Sequence, residues 1–194
     1  MATASWWETL FTSRADYTAV ASTASEASLL AGNNVQPTFW AGYFDAYNRP
    51  GRTIRILASG IFSTTGTPTM IFQARLGTTS GSSFLSGTSV GVSAAITTGS
   101  GVTNKYFELD LTLTARTLGI GTGNTTLSGF GKVVSPGFAS PFIYPLEPTT
   151  PDTATWTSTI DMSLVQYLNL SLTWSASSAS NTCTLKDLIV LGLN

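Results

Sequence analysis

Leu168-Asn169-Leu170-Ser171-Leu172-Thr173-Trp174-Ser175 sets an apolar side chain at every second position. A period of two is what a strand needs when one face is buried and the other wet. The polar run Ala176 to Asn181 follows, and then Cys183 to Leu191, dense in Leu, Ile and Val. Two strands joined by a short Ser/Asn-rich segment predict an antiparallel hairpin. The same alternation recurs upstream. Ile54, Ile56 and Ala58 alternate with Arg55 and Leu57; Met70, Phe72, Ala74 and Leu76 with Ile71, Gln73 and Arg75. Phe107, Leu109, Leu111 and Leu113 alternate with Glu108, Asp110, Thr112 and Thr114. The expected core is therefore Ile54, Ile56, Met70, Phe72, Leu109, Leu111, Leu113, Leu170, Leu172 and Trp174.

Between these strands the chain is punctuated by turn chemistry. Asn48-Arg49-Pro50-Gly51 and Thr64-Thr65-Gly66-Thr67-Pro68 close loops, Gly119 to Gly123 turns the chain, and Gly77 to Gly101 holds one or two weak strands. Thr125 to Val134 is a strand in which Gly129 and Gly131 mark a bulge or close packing. Ser135 to Pro151 carries five of the eight prolines and is expected to be irregular or edge structure, with Trp156 to Ile160 returning to strand. About eight strands with turns between them predict an all-β fold, a single β-sandwich of jelly-roll type. An immunoglobulin-like sandwich comes second, since its Cys…Trp…Cys signature is absent. The sandwich domain is assigned to residues 29–194.

Residues 1–28 read differently, as a short N-terminal arm. Ser5-Trp6-Trp7-Glu8 fits a capping box and predicts a helical turn with Trp6, Trp7, Leu10 and Phe11 on one side. The Thr/Ala/Ser-rich tract that follows offers little to hold a core. Either the arm folds back and packs its tryptophans on the sandwich, or it docks on another subunit. Paired tryptophans need a partner, because burying an aromatic is worth about 1.5–3 kcal/mol. Trp6, Trp7, Leu10 and Phe11 are accordingly the expected partner-binding residues.

Composition narrows the function. The 194 residues carry 10% charged side chains, a net charge of −1 and no histidine, against about 25% charged in an average domain. Ser and Thr fill over a quarter of the positions. No basic field is present for nucleic acid. Mean hydropathy is +0.20, yet no apolar run approaches the roughly 18 residues of a membrane helix. No signal peptide is visible at the start, so synthesis in a cytoplasm is expected. Without histidine the commonest general base and metal ligand are missing, and no nucleophile elbow, CxxC, HExxH or P-loop occurs. Glu108 and Asp110 share the polar face of a strand, where charges serve solubility. Asp152 and Asp161 flank Trp156 as a conceivable sugar or calcium site, with a spacing that matches no known loop. The expectation is no catalysis, no metal and no cofactor. The lone Cys183, in an apolar strand, reads as a small hydrophobe. Aromatics in 39–47 and 141–144 suit a core or subunit interface better than sugar stacking, and so little surface charge favours a homo-oligomer.

A His-free, Ser/Thr/Gly-rich β-chain with a Trp6-Trp7 arm, a Pro50-Gly51-Arg52-Thr53-Ile54-Arg55 strand entry and a closing Leu185 to Leu191 strand resembles the virion structural proteins of tailed bacteriophages. It is similar in particular to capsid decoration (cement) proteins. The resemblance implies a homotrimer seated between major capsid subunits, partnered by the major capsid protein or other virion proteins and located in the virion. Two other classes stay open: a receptor- or carbohydrate-binding module of a phage tail or head appendage, and a bacterial surface protein.

Overall fold

The computed structural model describes residues 7–32, 35–44, 51–81, 85–117, 125–147, 157–158 and 160–193. The strands are β1 (Trp7–Thr12), β2 (Val20–Ala21), β3 (Ala27–Ser28), β4 (Thr38–Phe39), β5 (Thr53–Ser63), β6 (Thr69–Gly77) and β7 (Thr88–Ser93). They continue as β8 (Ile96–Thr97), β9 (Lys105–Thr117), β10 (Thr125–Val134), β11 (Ile143–Glu147), β12 (Thr157–Ser158), β13 (Gln166–Trp174) and β14 (Thr182–Leu193). No helix occurs among the described residues. The fold is all-β, as the alternation predicts.

Every pairing is antiparallel, and the main path runs β1-β14-β5-β9-β10-β11-β7-β6-β13-β3. The path doubles back on itself. Phe72 on β6 meets Phe107 on β9 with ring centroids 5.0 Å apart, so β14-β5-β9-β10 and β7-β6-β13 form two layers, with β11 at the turn between them. Setting aside the two-residue strands, eight remain from Thr53 onward. The first pairs with the last, the second with the seventh, the third with the sixth and the fourth with the fifth. That nesting is a hairpin ribbon rolled up on itself, the connectivity of a jelly roll.

All ten expected core residues are buried. Alternation explains this directly. Along β5 and β6 every second residue is buried without a break, because the inward side chains are apolar while the outward positions are mostly Thr, Ser, Arg and Gln, with Leu57, Ile61 and Ile71 among them. Gly60 lies inside β5. A β-carbon there would stand 2.3 Å from the Thr184 carbonyl oxygen and 2.7 Å from the Phe107 ring, so the glycine permits close packing. Gly131 does the same where β10 crosses β9, its missing β-carbon 2.6 Å from the Asp110 carbonyl oxygen.

Three expectations are corrected. The C-terminal hairpin does not form: β13 pairs with β6 and β14 with β5. The segment between them is an arch from one layer to the other, held by Ser175 N–H donating to the Thr69 carbonyl and by Asn181 Oδ1 accepting from Thr65 N–H at 3.2 Å. The proline-rich stretch supplies β11, which joins β10 to β7 through the interior of the sheet path, with Pro145 opposite Lys132. The helical turn is a strand. Trp7–Thr12 pairs with Leu193 to Ile189 of β14, so a strand's reach to a free sheet edge outweighs the local capping pattern.

The tract after Thr12 is likewise more than a polar tether. Ser13 N–H donates to the Leu188 carbonyl at 2.8 Å, Tyr17 N–H to Leu185 at 3.0 Å, and β2 pairs with Thr182 and Cys183. The chain then crosses to the other layer, where Ala27 and Ser28 pair with β13. Tyr17, Val20, Leu29 and Leu30 enter the core. Residues 7–31 thus form a clasp along the edges of both layers.

The clasp also covers the outer face of β13, expected to be wet. Asn169 and Ser171 are buried there, and Ser28 Oγ donates to Asn169 Oδ1 at 3.0 Å. Glu26 takes a two-point ion pair from Arg75, with both N···O distances 2.8 Å, and a hydrogen bond from the Ser171 hydroxyl. Burial by itself pushes the Glu26 carboxyl up. The hydrogen bonds from Arg75 and Ser171 and the Arg75 charge outweigh it, holding the group below its ordinary value. A depressed folded-state value means that the stability contribution is present above the unfolded value, near pH 4.3, and is lost as pH falls through the folded one. Urea titrations from pH 7 to pH 3 should show wild type losing stability through this window, while Glu26→Gln is weaker at pH 7 and has a flatter profile. Parallel profiles would remove Glu26 as the source.

Candidate interaction surface

β1 ends the sheet path, so its outer edge has no strand beside it among the described residues. Trp7 lies at the start of this edge, 72% exposed, with its side chain on the outward side beside Leu193. Leu10 and Phe11 are half-buried and pack against the core. A register shift between Thr9 and Phe11 makes this possible, turning Phe11 inward opposite Val190. Trp6 lies outside the described residues. Of the three expected partner-binding side chains that are described, Trp7 is displayed to solvent, and Leu10 and Phe11 anchor its strand. A groove of about 490 Å³ runs beside them, lined by Thr9 to Arg14 and Val35.

The strand is pinned at its base. Glu8 Oε1 accepts from Arg52 Nη2 and from the Tyr43 hydroxyl, both at 3.4 Å. Arg52 Nη1 donates to the Tyr43 carbonyl at 2.9 Å, and its guanidinium lies 4.1 Å from the Tyr43 ring centroid. Burial pushes the Tyr43 phenol up to about 12, so it remains a hydrogen-bond donor throughout the neutral range. The aromatic segment at 39–44 is therefore mainly core: Phe39, Tyr43 and Phe44 are buried and Trp40 stands half-exposed against Tyr43. Tyr47 lies outside the described residues.

A second surface was not foreseen. Tyr106, Phe130, Ile143 and Ile189 are exposed on the outer face of β14-β5-β9-β10-β11, together with half-buried Leu57 and Val134. The face is dished at its centre into a concavity of about 660 Å³. The sequence did hold a signal for it. Leu57, Tyr106, Phe130 and Ile189 occupy positions whose alternation parity belongs to the polar side, next to Arg55, Glu108, Lys132 and Asp187. Apolar residues grouped on the wet parity of neighbouring strands mark a surface that something covers.

The expected acidic candidates fall apart chemically. Asp110 is held by Arg55 through two hydrogen bonds of 2.9 and 2.7 Å, leaving Glu108 without its supposed partner carboxylate. Asp161 Oδ1 accepts from the backbone N–H and the hydroxyl of Ser163, which makes it a turn residue. Asp152 and Trp156 lie outside the described residues. Among the described residues no three acidic, Cys or His side chains group as metal ligands. Cys183 is fully buried and burial pushes its thiol up, away from the thiolate that reactivity requires. No described helix is long and apolar enough to cross a membrane.

No protein-family model matches the chain, and no curated protein matches it.

Proposed function

We propose that the protein is a non-enzymatic structural component of a phage particle, decorating or cementing the capsid by binding between major capsid subunits. What carries this reading is the β1 edge: a tryptophan 72% exposed on the terminal strand of the described sheet path, with a groove lined by the rest of that strand. An edge strand of this kind can accept an extended segment of a neighbour, with backbone hydrogen bonds giving affinity and side-chain pockets giving specificity. A tryptophan at its head is the residue type most often found as an interface hot spot. With 10% charged residues, the chain has little electrostatic steering to offer, and apolar anchoring takes its place. The partners are then a major capsid protein or another virion protein, and the location is the virion.

The test is co-sedimentation of the purified chain with expanded capsids of the phage that encodes it. Trp7→Ala should leave thermal stability unchanged within about 0.5 kcal/mol, as for other exposed positions. It should weaken capsid association by at least about 30-fold, the loss typical of a hot spot. Wild type that fails to co-sediment, or a variant that binds as well, rejects the assignment. A second reading is supported by Trp40 and Phe142, each more than half exposed: a receptor- or carbohydrate-binding module of a phage tail or head appendage. Retention on a glycan array that is lost in Trp40→Ala would favour it.

A further inference from the structure

The two outer faces of the sandwich are unequal. The clasp covers β13 on one side, while the face of β14-β5-β9-β10-β11 is bare. We propose that this bare face binds a second copy of the chain around a two-fold axis. The proposal needs only the purified chain and stands independently of any particle.

A knob and a hole lie on the same face. The concavity has Leu57, Val134, Ile143 and Ile189 in its lining. Beside it on β10, Phe130 is 76% exposed, two residues from Lys132, which borders the hole. The charges are divided in the same way. Arg55 and Asp110 satisfy each other, and Asp187 and Glu108 flank Ser59 in one cross-strand row. Lys132 sits one row away opposite Asp110. Among the described residues no ion pair joins Glu108, Asp187 or Lys132 to another side chain. Asp187 Oδ2 accepts a hydrogen bond from the Ser59 hydroxyl at 3.2 Å. A face with an unfilled hole, an unseated aromatic, and two carboxylates and one ammonium outside any described ion pair is complementary to itself, as isologous contacts require.

The layout allows both matches at once. Strands lie about 4.8 Å apart, and like-facing residues about 6.7 Å apart along a strand. On that grid, a two-fold axis that seats Phe130 of one copy over Leu57 of the other brings each Lys132 to within about 5 Å of the partner's Glu108 in projection. The size is adequate too. Eight residues on each of four strands and the five of β11 give roughly 600 Å² in projection, before side-chain relief is counted. A standard interface covers about 800 Å² of accessible surface per partner. A sugar ligand would want flat aromatics in its cleft, whereas no aromatic lines this one: Leu57, Val134, Ile143 and Ile189 supply its apolar surface beside a set of charged groups.

Light scattering across about 1–100 µM should return twice the 20.4 kDa chain mass. Phe130→Ser should raise the dimer dissociation constant by at least about 30-fold, the size of a central aromatic hot spot. Lys132→Glu should also weaken it, and Lys132→Glu combined with Glu108→Lys should recover most of the loss. Circular dichroism melts of the exposed-site variants should match wild type, which separates dissociation from unfolding. A monomer at 100 µM overturns the proposal. So does a dimer, or the trimer that the resemblance implies, whose mass is indifferent to Phe130→Ser and to the charge exchange.

Discussion

Leu111→Ala should cost about 2–5 kcal/mol, measured as a shift in urea midpoint at unchanged slope. Leu111 stands at the centre of β9, opposite Ile56 on β5 and Gly131 on β10. Two glycines make room for it. The β-carbon position of Gly91, on β7 in the other layer, lies 2.9 Å from Leu111 Cδ2, and that of Gly131 lies 3.0 Å from Cδ1. The leucine therefore fills space that neither glycine can reclaim. Both flanking strands are fixed by continuous ladders, so the cavity left by alanine cannot collapse, and the upper half of the range is expected. Since whole domains are stable by only about 5–15 kcal/mol, this one substitution removes a large fraction. A loss below about 1 kcal/mol would show that the centre of the sandwich can relax.

Removing residues 1–31 should abolish folding, whereas removing residues 1–12 should leave a folded protein of lower stability. The shorter deletion takes away β1 with half-buried Leu10 and Phe11 and frees the edge of β14. The longer one takes Tyr17, Val20, Leu29 and Leu30 out of the core. At about 1.5–3 kcal/mol for each side chain buried, the four together rival the stability of an entire domain. It also strands Arg75 without Glu26, and Asn169 without Ser28. Far-ultraviolet circular dichroism and a cooperative melt distinguish the two truncations. A cooperative melt for the chain starting at residue 32 would mean that the clasp is an accessory and the core closes without it.

The sheet's body was legible because its code is local. In β5, β6 and β9 an apolar residue on every inward position announces both the strand and its face. The pairing of β13 and β14 was not legible, since a seven-residue polar segment serves equally well as a hairpin loop or an arch. What decides is the side chain of Asn181 reaching Thr65, a contact across 116 positions. The clasp stayed hidden for a related reason. Its Ser and Thr groups look solvated, yet Ser13 Oγ accepts from Leu188 N–H and Ser28 Oγ from Leu30 N–H. Its four core residues, Tyr17, Val20, Leu29 and Leu30, fall at spacings that show no strand period. The tryptophan at the head of β1 stood out in the sequence as a large aromatic with nothing local to cover it. The bare face required knowing which parity was wet on five strands at once.

The pairing of β1 with β14 has a temporal consequence. Trp7 and its cross-strand neighbour Leu193 are separated by almost the whole chain. At roughly 5–20 residues per second of synthesis, the tryptophan waits on the order of 10–40 s before its strand has anything to join. Folding must also bring the most distant parts of the chain together, which places it among slow, high-contact-order proteins. During that interval the nascent chain offers the aromatic, weakly charged β1 segment to whatever lies nearby. Yield in cells should therefore follow translation speed and chaperone supply more closely than it follows the stability of the finished sandwich.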